Sequence, residues 1–239
     1  MNKTKFGKKI VDVETKKKLV KSLFNKVSSS YDLMNDLMSL GLHRFWKKNL
    51  IRNVNAYNPS LILDLAGGTG DISLLLSKKF NESLILTYDL SLEMLRKSKK
   101  KVENISYING SAEAIALPNN SVDLITLSFG LRNFSNIEKS ISECYRILKY
   151  GGRIYCLEFS PSYSNSIKPA YDFYSNNIIP RIGKLVAKNE EAYRYLTDSI
   201  QSFYHNPELK NIFNKYGFFC YNEKKYLGGI AILNIFSKV

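Results

Sequence analysis

The chain has 239 residues, 44% of them hydrophobic, with 35 Lys and Arg against 21 Asp and Glu, for a formal net charge of +14. This is enough apolar material for one sizeable α/β core, but no stretch reaches the roughly 20 apolar residues that span a bilayer, and the basic start MNKTKFGKKIVDVETKKK lacks the apolar centre of a signal peptide. Cys144, Cys156 and Cys220 are scattered without a CxxC pair, and His43 and His205 are the only histidines, so neither a disulfide framework nor a metal site is supported and a reducing cytoplasm is expected.

Leu33, Met34, Leu37, Met38, Leu40, Leu42, Phe45 and Trp46 recur at mostly helical spacing. Such a stripe predicts a helix packed on the domain, and it equally suits the lining of an apolar channel. Next, Leu61, Ile62, Leu63 and Leu65 form the short apolar run of a strand buried on both faces of a parallel sheet. Gly67, Gly68, Thr69 and Gly70 break that run, and Ile72, Leu74, Leu75 and Leu76 open a helical pattern whose N-terminus points back at the break. Glycines there tolerate positive φ and let backbone N–H groups approach a ligand, the arrangement that announces a nucleotide-type cofactor.

A P-loop is excluded, because no Gly-Lys-Ser/Thr follows at the required spacing. NAD and S-adenosylmethionine both remain, with Ser73 small enough for the third position of a dinucleotide fingerprint. A second strand, Leu84 to Leu90, carries Asp89 about 20 residues past the loop, where a carboxylate accepts hydrogen bonds from ribose hydroxyls. Both cofactors carry that ribose. A third strand, Ile105 to Asn109, leads to Gly110, Ser111, Ala112 and Glu113, placed to meet an adenine ring. A fourth, Ser121 to Ser128, ends in Phe129, Gly130, Leu131, Arg132 and Asn133. Its early aspartate and its polar exit loop resemble the class I methyltransferase pattern, which favours S-adenosylmethionine.

Tyr31 to Trp46, YDLMNDLMSLGLHRFW, resembles the N-terminal signature of the UbiE/MenG/COQ5 family of quinone-biosynthesis C-methyltransferases. Arg146 to Ser160, RILKYGGRIYCLEFS, is similar to the second family signature, with Tyr150 where proline is usual. Phe6-Gly7, SFGLRN (Ser128 to Asn133), YRYLTDS (Tyr193 to Ser199) and GGI (Gly228 to Ile230) extend the likeness over nearly the whole chain. Departures gather near the C-terminus, where Tyr204 and His205 replace a usual proline and Leu227 replaces a common threonine.

The resemblance implies one domain with a Rossmann-like class I methyltransferase fold: a mostly parallel seven-stranded sheet with an antiparallel C-terminal strand and helices on both faces. Residues 1–58 would form a helical substrate lid, 59–160 the cofactor core, 161–202 a roof rich in aromatics (Tyr163, Tyr171, Phe173, Tyr174, Tyr193, Tyr195), and 203–239 a closing helix and strands. It further implies methyl transfer from S-adenosylmethionine to a ring carbon of a polyprenylated benzoquinol or of demethylmenaquinol. Carried onto this sequence, Gly67, Gly68 and Gly70 shape the cofactor loop, Thr69 contacts the ligand, Asp89 holds the ribose, Ser111 and Ala112 meet the adenine, and Ser128 closes the site. Asp64 either reaches the methionine end or ties down the loop. Arg132 and Asn133 are the first candidates for the substrate side, Arg132 as a stabiliser of a developing phenolate because arginine is no base at neutral pH. Tyr31, to orient the hydroxyl, and His43, to accept its proton, come next.

The positive charge is mostly lysine, and it is read as solvated lysine faces or as attraction to an anionic membrane surface, with the protein cytoplasmic and peripheral to the inner face of the cytoplasmic membrane. A homodimer or a quinone-biosynthesis complex would be a further partner. Nucleic acid is disfavoured, since no RGG run, RNP pattern or zinc knuckle occurs. The competing functions are a class I methyltransferase acting on RNA or a soluble small molecule, and a cofactor-binding scaffold without catalysis.

Overall fold

A computed structural model describes residues 3–102, 105–165, 167, 169, 173–178 and 190–239. Tyr171, much of the expected roof, and the side chains of Leu37 and Met38 lie outside the described residues. The chain opens with an antiparallel hairpin, β1 (Lys3–Phe6) and β2 (Lys9–Asp12), turned at Gly7. Asp12 then caps α1 (Val13–Val27), its carboxylate accepting from the Thr15 N–H at 2.9 Å. α2 (Tyr31–Ser39) ends where Leu40 and Gly41 both take positive φ, and that left-handed corner swings the chain into α3 (Leu42–Asn53).

The expected strands follow as β3 (Leu61–Leu65), β4 (Leu84–Asp89), β5 (Ser106–Asn109), β6 (Val122–Ser128) and β7 (Leu148–Phe159). They alternate with α4 (Asp71–Lys79), α5 (Leu92–Lys101) and α6 (Ile137–Ile147). After α7 (Glu190–Gln201) and α8 (Asn206–Lys215), the strands β8 (Phe218–Tyr226) and β9 (Ala231–Lys238) complete a seven-stranded sheet of order β5-β4-β3-β6-β7-β9-β8. The pairs from β5 through β7 are parallel, and β9 is antiparallel to both of its neighbours. This is the mostly parallel class I architecture with an antiparallel C-terminal strand. Strand order reverses between β3 and β6, so a crevice opens at their carboxyl ends, the place where such sheets bind ligands.

Period-two alternation sends successive strand residues to opposite faces. Ile62, Ile85, Leu124, Tyr155 and Leu233 pack under α1, α3, α4, α5 and α7. Leu63, Leu86, Ile125, Ile154 and Phe236 pack under α6 and α8. Trp46 of α3 joins the N-terminal helices to the carboxyl ends of β6 and β7, with ring centroids 6.3 Å from Phe129 and 6.0 Å from Phe159. Emptying such a site typically costs ~3–5 kcal/mol. The helices above the crevice are therefore part of the core.

Candidate active site

The crevice holds a pocket that is partly open to solvent. Its floor is the strand ends: Leu65, Ala66 and Gly68 after β3, Tyr88 and Asp89 of β4, Ala112 and Glu113 after β5, Phe129, Gly130 and Asn133 after β6. Its cover is Val20, Lys21 and Phe24 of α1 and Tyr31 of α2. Tyr31 meets Phe24 edge-on at 5.8 Å.

Two non-glycine residues in the floor have positive φ, Ala66 at 54° and Phe129 at 58°. Such a backbone costs of order 1–3 kcal/mol per residue and persists only where the surroundings impose it. Here both bends lie at the ends of adjacent strands and turn the chain along the cavity wall. Gly68 is also left-handed, at φ +56°, and a Cβ added there would project toward Tyr31, 3.9 Å from its ring, so this glycine leaves open space for a ligand. Gly110 has the opposite reason, since a Cβ would fall 2.0 Å from the Tyr88 hydroxyl oxygen.

Asp89 closes the β4 end. Its carboxylate accepts from the Gly68 N–H at 2.9 Å and the Ser91 N–H at 2.8 Å, which aims it into the cavity mouth. Burial pushes its carboxyl up to about 6, against the pull of those N–H groups. A half-buried carboxylate that still has acceptor capacity suits the two hydroxyls of a ribose. Glu113 works differently, as a clamp: it accepts from the Ser135 and Asn136 N–H groups at 2.8 and 3.1 Å, and from the Ser111 hydroxyl. It thereby fastens the post-β5 loop to the post-β6 loop.

A profile of the ubiE/COQ5 methyltransferase family matches residues 11–238. The chain belongs to the ubiE/COQ5 methyltransferase family. It is 44% identical to the ubiquinone/menaquinone biosynthesis C-methyltransferase UbiE of Rickettsia bellii (strain OSU 85-389), over 98% of each protein. It is 43% identical to the protein of that name from Rickettsia prowazekii (strain Madrid E), over 100% of each. Among solved structures, SAM-dependent methyltransferases from Thermotoga maritima and Aquifex aeolicus superpose with TM-scores of 0.65 and 0.61 at 16% and 17% identity. The first alignment covers 92% of this chain and 100% of the other, the second 86% and 98%. This member of the ubiE/COQ5 family is thus an S-adenosylmethionine-dependent methyltransferase with the class I fold.

Of the residues expected at the site, Gly68, Asp89, Ala112, Asn133 and Tyr31 line the cavity. The others stand behind it. Asp64 is buried and accepts from the hydroxyls of Ser73 at 2.6 Å and Thr126 at 2.9 Å, so it ties the loop down. Gly67 has no room for a Cβ, which would lie 2.6 Å from the Thr87 methyl, and Gly70 (φ +83°) is pressed against Ser98. Thr69 donates to Asp32 of α2 at 2.8 Å, Ser111 is held by Glu113, and the buried Ser128 hydroxyl has no partner among the described residues.

Arg132 is committed to protein partners. Its guanidinium donates to Glu158 at 2.6 Å and to the Phe129 carbonyl at 2.7 Å, and its side chain is almost wholly buried. It braces the left-handed bend at Phe129. His43 is also buried and outside the cavity lining, with Nε2 2.8 Å from Asp36, and burial together with Lys47 pushes its pKa down against the pull of Asp36. Sequence patterns did not reveal Lys21, Phe24 or the Glu158 brace, because each depends on a contact between elements remote in the chain.

When bound, S-adenosylmethionine supplies an electrophilic methyl group, and the cavity lining suits it: Asp89 would hold the ribose and Ala112 would meet the adenine, with the open Gly68 between them. Because the charged carboxylate is the better acceptor, its affinity for cofactor is linked to pH. If Asp89 holds the ribose, binding should be at full strength above about 6 and should weaken as Asp89 takes a proton below it. Titrating S-adenosylhomocysteine from roughly pH 7.5 down to roughly pH 5 should raise the dissociation constant by up to about tenfold per unit below the Asp89 pKa. Asp89→Asn should bind weakly with a flat profile, whereas a flat wild-type profile would contradict the assignment.

Proposed function

We propose that this methyltransferase adds a methyl group to a ring carbon of a polyprenylated quinol, a benzoquinol, demethylmenaquinol or both. The observation that carries this reading is the full-length likeness to UbiE proteins, which extends through the helices above the cavity and not only through the cofactor core. The cavity supports it, since its cover sets Val20, Phe24 and Tyr31, beside Lys21, where a quinol ring would lie, and its lining includes the Asn133 amide.

A phenol ring carbon becomes a strong nucleophile when its neighbouring hydroxyl shares or loses a proton, and that proton is held with a pKa of roughly 10. Asn133 would donate a hydrogen bond to the oxygen as negative charge grows on it, a contribution worth about 10²–10³ in rate for one well-placed donor. Tyr31 would orient the same hydroxyl, and the closed cover would hold the ring carbon in line with the methyl group. Residues 1–58 would serve as the lid and 161–202 as the roof, with the prenyl tail leaving between them.

No helix among the described residues is long and apolar enough to cross a membrane. Contact with an anionic bilayer would instead be peripheral. Leu33, Leu40 and Phe45 are exposed around the α2–α3 corner, close in sequence to the exposed Lys48, a mixture that suits a lipid surface.

Quinones extracted from a C-methyltransferase-deficient bacterium carrying this gene should lose the demethyl precursor and gain a product heavier by one methylene, as read by mass spectrometry. Asp89→Ala should leave the precursor in place. Persistence of every demethyl quinone with the wild-type protein would overturn the reading. The membrane part predicts co-sedimentation with phosphatidylglycerol vesicles that salt reverses, and sedimentation unaffected by vesicles would remove it.

A further inference from the structure

Tyr195 lies on α7, outside the cofactor core, and its hydroxyl donates to Asn133 Oδ1 at 3.0 Å. Both side chains are buried, at 5% and 7% exposure. On its other side Asn133 Nδ2 donates to the Phe129 carbonyl at 3.4 Å. That carbonyl also accepts from Arg132, so it is fixed as an acceptor. Turning the Asn133 amide over would set two carbonyl oxygens against each other at this distance and leave the Tyr195 proton without its acceptor. One orientation therefore satisfies both neighbours, and in it the second Nδ2–H is what Asn133 can offer to the cavity it lines. Burial pushes the Tyr195 hydroxyl well above the usual tyrosine range, which keeps it a donor.

The hairpin holds Tyr195 in turn. Phe6 of β1 stacks on its ring with centroids 4.3 Å apart, and the Gly7 carbonyl accepts from Ser202 at 3.1 Å. A Cβ at Gly7 would come within 3.1 Å of the Asp198 Cβ, so the glycine lets the hairpin sit close against α7. Three segments singled out in the sequence, Phe6-Gly7, YRYLTDS and SFGLRN, thus meet in one chain of contacts: Phe6 on Tyr195, and Tyr195 on Asn133.

We propose that Tyr195 is a positioning residue for methyl transfer: it pins Asn133 so that the amide presents a hydrogen-bond donor to the acceptor's hydroxyl oxygen, and Phe6 holds Tyr195 for that task. This rests on the reading that Asn133 faces the substrate ring. Tyr195 touches no substrate and acts through Asn133.

The test is a double-mutant cycle in the full-length protein, with Tyr195→Phe, Asn133→Ala and both together, assayed on a reduced demethyl prenyl quinol. Tyr195→Phe should lower kcat about tenfold or more while the dissociation constant of S-adenosylhomocysteine stays unchanged. The double variant should be no slower than Asn133→Ala alone. The kcat–pH profile of Tyr195→Phe should shift toward alkaline pH, because the substrate hydroxyl then loses its proton less readily. Phe6→Leu, which keeps an apolar side chain but removes the stack, should give a smaller loss of the same kind and serves if Tyr195→Phe is poorly folded. Losses that multiply in the double variant, or a kcat for Tyr195→Phe equal to wild type, would overturn the positioning role while the quinol reading stands. A wild-type protein that turns over no prenyl quinol would remove that reading and this proposal with it.

Discussion

The Asp64 carboxylate is the joint on which the cofactor edge is built. It is the penultimate residue of β3 and takes hydroxyl hydrogen bonds from Ser73 of α4 and Thr126 of β6, while Ser73 shares a further bond with Thr87 of β4 at 2.7 Å. Four elements meet at one buried acid. Its carboxyl is pushed up to about 6 by burial, with the two hydroxyls and the Lys47 charge working the other way. Removing one partner from such a cluster leaves a buried polar group unsatisfied, a cost of about 1–3 kcal/mol or more. The backbone geometry at Ala66, Gly68 and Gly70, which lines or supports the cavity, starts from this anchored point.

Two kinds of contact hold the cover over that edge. α3 is fixed by packing, with Trp46 and Leu50 fully sunk into the core. α2 is held by both kinds: Met34 is sunk into the core and Tyr31 packs on Phe24, while Thr69 donates to Asp32 at 2.8 Å and Lys101 reaches both Asp32 and Asp71. Partly exposed pairs of this kind are worth about 0–1 kcal/mol each.

The strands and the glycine loop were legible because their signals are local. LILDL and LILTYD are runs that only a buried strand accommodates, and Gly68 and Asp89 came from spacing that any such βα unit must keep. The hairpin was not legible. KTKF and KIVD carry no apolar run, and their pairing is stabilised by contacts with α7, nearly 200 residues away in the chain. Arg132 illustrates a second limit: its position after β6 placed it correctly at the sheet edge, but its direction is decided by Glu158, a buried acid whose role is visible only once β6 and β7 lie side by side. His43 is a third case, where residue chemistry suggested a base and burial beside Asp36 made it part of the α2–α3 corner. Sequence reading located the edge of the site well and the aim of individual polar side chains less well, since aim is a tertiary property.

The most direct test of this account is the fate of the methyl carbon. Purified protein incubated with S-adenosylmethionine labelled with carbon-13 in its methyl group and a reduced demethyl prenyl quinol should yield a product whose labelled methyl is coupled to a ring carbon in the NMR spectrum. Label found on oxygen as a methoxy group, label incorporated into RNA instead, or no labelled product at all would contradict it.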